Sequence, residues 1–409
     1  MPPSKKTKGA GRKAAKNEGE GTALDRLIQQ VNATYGEGTL LPAVRAESLI
    51  VDWIPTGIFD FDVRTGGGFP RGRITLIKGK FSSWKTALCY KGLSSVQRMC
   101  RFCGKPLEIV DLFGEVHEVD CKCGKRVRGV GLWVDGEHVF DPEWASQWGV
   151  NCDDVLLLEP ESAEQAIDVI DKAIRTRQCD LVVVDSIASL TPIIESASAA
   201  GDQQMGVAAK LFNKACRKWT AGFNSFGLLA DTKCTMLLIN QLREKLGPYG
   251  GLTSPGGMGF GFSESLEIMT KAEEYIVDEV TNRNVGSLIS YHILKSKVYP
   301  PSLPYGEFAL YFSKVKGRHY VGSTNTEEQV IKYGEYWKLI AKAGSWYTFK
   351  DIKVQGKPAL VRELQKRPEY VLELMDEIRR KEKVWKDEGK FGENDGLAWA
   401  GSNEEKEEG

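Results

Sequence analysis

Gly79-Lys80-Phe81-Ser82-Ser83-Trp84-Lys85-Thr86 is a phosphate-loop pattern with one glycine replaced. It follows the apolar run Ile74 to Lys78 and precedes an apolar helical stretch from Ala87, the strand–loop–helix setting such a loop needs. In that setting successive backbone N–H groups turn inward on phosphate oxygens, and the helix adds its positive N-terminal end. Gly79, Ser82, Ser83 and Trp84 form the cradle. Lys85 is placed to reach the β- and γ-phosphates, and the Thr86 hydroxyl to hold Mg²⁺. The position before the lysine usually belongs to glycine, because the backbone there bends tightly against the ligand. Here it is Trp84, which either strains the loop or turns its indole away and leaves the amides in place.

Working outward, the same grammar repeats. Gly131 to Asp135 leads into Gly136-Glu137-His138-Val139-Phe140-Asp141-Pro142, Leu181 to Asp185 into Ser186, and Met236 to Asn240 into Gln241. Val155 to Leu158 is a further short apolar run. Strands this continuously apolar, separated by helical stretches, predict an α/β fold with a mostly parallel sheet covered on both faces. Residues 288–294 and 308–312 read as further, antiparallel strands. Ligands of such sheets bind outside the carboxyl ends of the strands. Asp185 there suits Mg²⁺, usually through water, with a helix cap as the plainer alternative. Glu137 suits a general base for an attacking water, while the adjacent His138 reads as structural. Gln241 is placed to sense a γ-phosphate by hydrogen bonding and to pass its state to the next loop.

The chain has 409 residues, enough for one large domain with smaller appendages. Its formal net charge is zero, so no global field draws in nucleic acid, and any DNA contact has to be local or inside an assembly. No apolar run is long enough to span a bilayer, and a cytoplasmic protein without membrane contact is expected. Residues 1–21 read as a disordered basic arm, and 22–50 as a helix and linker. That helix, Thr22 to Tyr35, carries one apolar stripe for its own core or for a neighbouring subunit. The core is expected over 51–325, a small C-terminal domain over 326–384 with helical runs around Trp337 to Trp346, and an acidic flexible tail over 385–409.

Inside the core, residues 99–129 form an insertion with Cys100-Arg101-Phe102-Cys103 and Cys121-Lys122-Cys123. Two cysteine knuckles flanking a short hairpin are the pattern of a zinc ribbon, four thiolates holding tetrahedral Zn²⁺. A hairpin this small cannot bury enough to fold alone, which gives the metal a structural reason. The C-x-C spacing of the second knuckle leaves His117 as an alternative ligand, and reduced thiols without metal remain the plain alternative. Phe102, Lys105, Lys122, Lys125, Arg126 and Arg128 suit DNA or partner contact, or simply solvate the hairpin.

From about Asp25 to Arg379 the chain resembles the RecA recombinase family. The resemblance rests on Gly67-Gly68-Phe69-Pro70-Arg71-Gly72-Arg73-Ile74, on Gly136 to Pro142, and on Val184-Asp185-Ser186-Ile187-Ala188-Ser189-Leu190-Thr191-Pro192. Gly201-Asp202-Gln203-Gln204-Met205-Gly206 and Asn240-Gln241-Leu242-Arg243 complete it. It implies a RecA-like ATPase core with an N-terminal oligomerisation helix and a small α+β C-terminal domain. It also implies ATP bound with Mg²⁺ between subunits of a helical homo-oligomeric filament on single-stranded DNA, pairing with double-stranded DNA in recombination and repair.

By the same resemblance Glu137 is the catalytic glutamate, Asp185 the metal-site aspartate and Gln241 the γ-phosphate sensor. Asp141 and Trp144 contact adenine. Lys295 and Lys297 reach the neighbour's nucleotide across the interface. Met205 and Lys210 after the first DNA loop, and Arg243, Lys245, Leu246 and Tyr249 in the glycine-rich second loop, contact DNA. Two departures stand out: Trp84, and the lack of the family's basic residues around Gly261 and Glu267. They open a second reading, a filament scaffold that binds DNA but hydrolyses ATP weakly or not at all. A zinc-bearing branch-migration motor is a third, and the internal position of the cysteines counts against it.

Overall fold

The structure is a computed structural model, and it describes residues 22–37, 39–42, 51–196, 207–220, 227–244, 252–253, 263–300, 303–315 and 319–387. Its centre is an eight-stranded sheet. In chain order the strands are β1 (Ile74–Gly79), β2 (Gly131–Asp135), β3 (Val155–Leu158), β4 (Leu181–Asp185), β5 (Thr235–Gln241), β6 (Leu266–Asp278), β7 (Arg283–Ser296) and β8 (Tyr305–Tyr311). Across the sheet the order is β8-β7-β6-β1-β5-β4-β2-β3. From β6 to β3 neighbours run parallel, while β7 is antiparallel to both β6 and β8.

Alternate residues of the central strands point to opposite faces, and both faces are covered. Ile77, Trp133, Val183, Leu237 and Ile239 pack with Ala87, Leu88, Leu93 and Val96 of the helix Lys85–Gln97. Leu76, Val134, Val182, Val184 and Leu238 pack with Ile170 and Ile174 of the helix Ala163–Arg175, and with Phe212 and Trp219 of the helix Val207–Thr220. Two buried faces are why these strands read as unbroken apolar runs. β6 escaped the sequence reading because only its first half is buried. Its second half, Lys271 to Asp278, is mostly exposed and reads as polar loop.

The helix Ala23–Tyr35 begins as expected. Thr22 Oγ1 accepts from Asp25 N, and the Asp25 carboxylate accepts from Thr22 N, a reciprocal cap. None of its residues is buried.

Beyond β8 a third core forms around Val330, Ile331, Tyr347, Ile352, Leu360, Leu374 and Ile378. Three helices, a small antiparallel sheet and Phe59 of the helix Phe59–Thr65 supply it. The helical reading of Trp337 to Trp346 is corrected here. The helix Thr326–Tyr336 ends, and Trp346 lies in the strand Trp346–Phe349. This unit is keyed to the sheet by Asp60. The buried carboxylate pairs with Arg64 at 2.9 Å and accepts from Tyr291 Oη at 2.6 Å and Tyr333 Oη at 3.1 Å. Among the described residues no helix is long and apolar enough to cross a membrane.

Candidate active site

The parallel register delivers the strand-end residues to one edge of the sheet. Gly79 is level with Gln241, and Asp135 with Asp185. Just past that edge, Glu137 Oε1 accepts from Gln241 Nε2 at 2.6 Å and from Ser186 Oγ at 2.7 Å. Thr86 Oγ1 donates to Asp185 Oδ2 at 2.8 Å. Lys85 Nζ folds back over its own loop, donating to the Lys80 carbonyl at 2.7 Å and to Ser83 Oγ at 3.2 Å. Burial holds the Lys85 pKa below that of a free lysine, against the nearby charges of Asp185 and Glu137. Gly79 is required by space: a Cβ there would lie 2.2 Å from Ser83 Oγ and 2.7 Å from the Thr270 carbonyl oxygen.

Asp185 carries the electrostatic tension of the site. Burial raises its pKa to about 6, with the neighbouring carboxylates Glu137 and Asp135 adding to the rise, and Thr86 and Lys85 only partly offset it. A divalent cation at the Thr86–Asp185 pair would relieve that tension, so the donor set fits Mg²⁺. Asp135 belongs to this cluster and was not singled out from sequence. It is 1% exposed. Its Oδ2 accepts from Phe140 N at 2.7 Å, and Oδ1 has no partner among the described residues. The signal was available, a carboxylate at the end of a quoted strand two residues before Glu137.

Trp84 resolves the question its sequence raised. Its backbone sits at φ 64° and ψ 23°, the left-handed conformation for which glycine is usually chosen. Such a conformation costs a β-carbon residue about 1–3 kcal/mol. The indole lies nearly parallel to Phe312, with ring centroids 5.1 Å apart and 13° between planes, and is tilted 44° to Trp148 at 6.4 Å. Aromatic pairing of this kind contributes about 0.5–1.5 kcal/mol beyond area burial, enough to offset much of the backbone cost. Both alternatives therefore hold together: the backbone takes the strained conformation, and the ring turns to aromatic partners. A cavity of about 430 Å³ lies between the phosphate loop, Tyr90, Trp144, Tyr275 and Phe312. Asp141 Oδ1 caps the helix that carries Trp144, accepting from Glu143 N at 2.8 Å and Trp144 N at 3.1 Å. Tyr275 and Phe312 were not anticipated.

Lys295 and Lys297 lie away from this edge. Lys295 pairs with Glu267, which is level with Leu76, three residues before Gly79. That is about 10 Å down the strand. Lys295 Nζ donates to the buried carboxylate of Glu264 at 3.3 Å. The Lys297 amide donates to the Ser265 carbonyl, and Ser265 N to Ile74 at the start of β1. Neither lysine meets the phosphate loop of its own chain. Lys78 pairs with Glu267, the position where a basic residue was noted as lacking.

Of the expected DNA contacts, Lys210 is exposed on the helix Val207–Thr220. Arg243 lies in the two-residue ladder Arg243–Glu244 with Leu252–Thr253. The chain reaches it directly from the site, with Leu242 N bonded to the Gly79 carbonyl at 3.0 Å. Met205, Lys245, Leu246, Tyr249 and Gly261 lie outside the described residues.

The family model described as the RecA N-terminal domain matches residues 22–109 and 116–315, and that of the RecA C-terminal domain matches 328–383. The chain belongs to the RecA family. It is 31% identical over 361 residues to Protein RecA of Caldanaerobacter subterraneus subsp. tengcongensis, covering 87% of this chain and 92% of that protein. Against Protein RecA of Tropheryma whipplei the identity is 33% over 339 residues, 82% of this chain and 67% of that one. Against that of Nostoc punctiforme it is 29% over 396 residues, 95% and 96%.

The break in the RecA match, between residues 109 and 116, falls inside the cysteine hairpin. The strands Glu108–Val110 and Val116–Glu118 pair antiparallel as expected. The sulfurs of Cys100, Cys103, Cys121 and Cys123 all lie within 4.8 Å of one another. Four thiolates on one zinc ion at about 2.3 Å stand roughly 3.8 Å apart, so the set has the right chemistry and nearly the right spacing. His117 is not part of it. Its Nε2 meets Asp111 Oδ2 at 3.0 Å, so the alternative-ligand reading is corrected. Arg126 pairs with Glu118, Arg128 with Glu108, and Lys125 lies over the Phe102 ring, so much of the module's positive charge is engaged within it.

Proposed function

We propose that this RecA-family protein is a DNA-dependent ATPase that forms filaments on single-stranded DNA and promotes homologous pairing and strand exchange. The observation that carries the reading is the position of Glu137. It is hydrogen-bonded to Gln241 and Ser186, on the edge that holds Lys85 and the Thr86–Asp185 pair. Glu137 is placed to take the proton of a water attacking the γ-phosphorus, while Lys85 draws charge from the leaving β–γ bridge. Thr86 and Asp185 would hold Mg²⁺, which supplies further charge neutralisation. Asp141 and Trp144 would contact adenine.

Gln241 is bonded to the base it would help orient and stands two residues before Arg243. A change of its partner on γ-phosphate loss would move the start of the DNA-binding loop. Contacts from Met205, Lys210, Arg243, Lys245, Leu246 and Tyr249 to DNA belong to the same proposal. Lys295 and Lys297, at the far end of their strand, would serve the nucleotide of an adjoining subunit. The four cysteines would hold Zn²⁺ as a structural staple with no part in the chemistry. Work in the cytoplasm fits this role.

A scaffold that does not hydrolyse ATP is the less favoured reading, because Trp84 keeps the left-handed conformation the loop requires. Electron microscopy of the protein on single-stranded DNA with ATP, together with a joint-molecule assay, tests the proposal. Filaments and joint molecules are expected. Filaments without joint molecules would favour the scaffold.

A further inference from the structure

At the end of β7 an acid stands beside the lysines. Lys295 Nζ donates to the Glu264 carboxylate at 3.3 Å, and Glu264 is only 2% exposed. Next to this pair a second one forms, Lys78 Nζ with Glu267 Oε1 at 2.5 Å, and Glu267 is level with Lys295 across β6 and β7. The backbone that carries Glu264 is fixed on both sides. Ser265 N donates to the Ile74 carbonyl at 2.9 Å, and the Ser265 carbonyl accepts from Lys297 N at 2.8 Å. The carboxylate therefore stays, and the flexible four-carbon lysine stem is the part that can move.

We propose that Glu264 is a brake on assembly: it holds Lys295 back from the nucleotide of an adjoining copy of this chain, so that filament formation waits for DNA to bring the copies together. This rests on the reading of Lys295 and Lys297 as groups that serve an adjoining subunit's nucleotide.

Two effects act in the same direction. Two lysines and one carboxylate present a single net positive charge to an incoming triphosphate, where the lysines alone would present two. A Lys295 that turns to a neighbour's phosphate also leaves the carboxylate buried without it, which is costly. Burial already raises the Glu264 pKa, and Lys295 works against that rise. The opposite role, an anchor that aims the ammonium, needs a tighter bond. A firm charge-assisted hydrogen bond spans about 2.7–2.9 Å, and this one is 3.3 Å. Copies bound side by side on one strand meet at high effective concentration, and that offsets the brake.

ATP turnover and light scattering of the full chain with Mg²⁺, without single-stranded DNA and across a titration of it, test this. Glu264→Gln should raise turnover without DNA about tenfold and lower the DNA needed for half-maximal turnover about fivefold. Its scattering should rise with ATP alone, and its thermal melt should match or exceed the parent's. Adding Lys295→Met to Glu264→Gln removes both partners of the buried pair, so no charge is stranded. The gain should then vanish, and turnover at saturating DNA should fall at least about tenfold below the parent's. A Glu264→Gln variant that needs as much DNA as the parent would overturn the inference. So would one that turns over more slowly at saturating DNA or melts lower, since Glu264 would then be an anchor or a structural group. If the double variant hydrolyses ATP on DNA as the parent does, Lys295 serves no neighbouring nucleotide, and the reading beneath this inference falls with it.

Discussion

Around Trp84 the chain is held in shape by its neighbours; around Cys100 to Cys123 four cysteine sulfurs gather within 4.8 Å of one another. The phosphate loop leaves β1 between two parallel neighbours; Ser82 and Trp84 both take positive φ, and Trp84 leans on Phe312 and Trp148. The hairpin has less support: Leu112 packs against the third core and Arg101 pairs with Asp180, but its strands stand largely clear. Ile109, Phe113 and Val116 are each about half exposed. Its buried apolar contacts concentrate at the base, in Cys100 and Leu107. Burial can preorganise a loop for phosphate because the core beneath is already rigid. A segment outside the core needs a covalent or metal cross-link to reach the same order. Damage to the hairpin should therefore stay local, whereas damage beneath the loop should spread.

The largest effect expected is on turnover. Lys85→Ala should lower ATP hydrolysis roughly 10³-fold while the thermal melt stays within a few degrees of the parent, because the side chain neutralises charge on the phosphates. A large drop in melting temperature would mean that the loop holds the core, reversing the comparison. Next is the polar key under the sheet. Asp60→Ala leaves Arg64 buried and two tyrosine hydroxyls short of an acceptor, and should cost about 3–5 kcal/mol in denaturant unfolding.

Asp185→Asn should go the other way. The carboxyl pKa is about 6 in the folded chain, against an ordinary 3.8. The folded state therefore binds the proton more tightly, and ligand-free stability falls as pH rises from about 4 through 6. Asparagine removes that slope and should stabilise the ligand-free protein by about 2 kcal/mol at pH 7.5, with Mg²⁺-dependent turnover lost. The same linkage makes Mg²⁺ binding weaken below pH 6, which calorimetry at pH 5.5 and 7.5 would register. The smallest effect on the core is expected from Cys103→Ser with Cys121→Ser. Bound zinc should fall from one per chain to none, and protease should cut within 99–129. Core stability should change by less than about 1 kcal/mol, and turnover by less than about threefold.

The parts of the molecule that could be read in advance share a physical cause. Strands buried on both faces have to be apolar throughout, so β2 and β4 matched their expected limits, and the Asp ending each marked the ligand edge. The edge strand β3 was legible as well, although Leu156 and Leu157 are about half exposed. β6 was hidden because half of it is solvated, and the strand holding Trp346 because a short edge-exposed hairpin carries no period long enough to separate it from a helix. In the site, Glu137, Asp185 and Gln241 come from at or just past strand ends, and Lys85 and Thr86 from the first turn of the helix after the phosphate loop, so all five could be placed by order alone. Phe312 and Tyr275 could not. Tyr275 lies late in β6 and Phe312 just past β8, far along the chain, and only the sheet order β8-β7-β6-β1 brings them beside Trp84. Asp135 was visible as the carboxylate ending β2, two residues before Glu137.

A phosphate loop with tryptophan before its lysine should work as a catalytic loop. The most direct test is ATP hydrolysis with and without single-stranded DNA, for the parent and for Glu137→Gln. The structure predicts turnover stimulated by DNA and reduced 10²- to 10⁴-fold in the variant, with nucleotide binding retained in both. No turnover in the parent despite ATP-dependent DNA binding, or equal turnover in the variant, would contradict it.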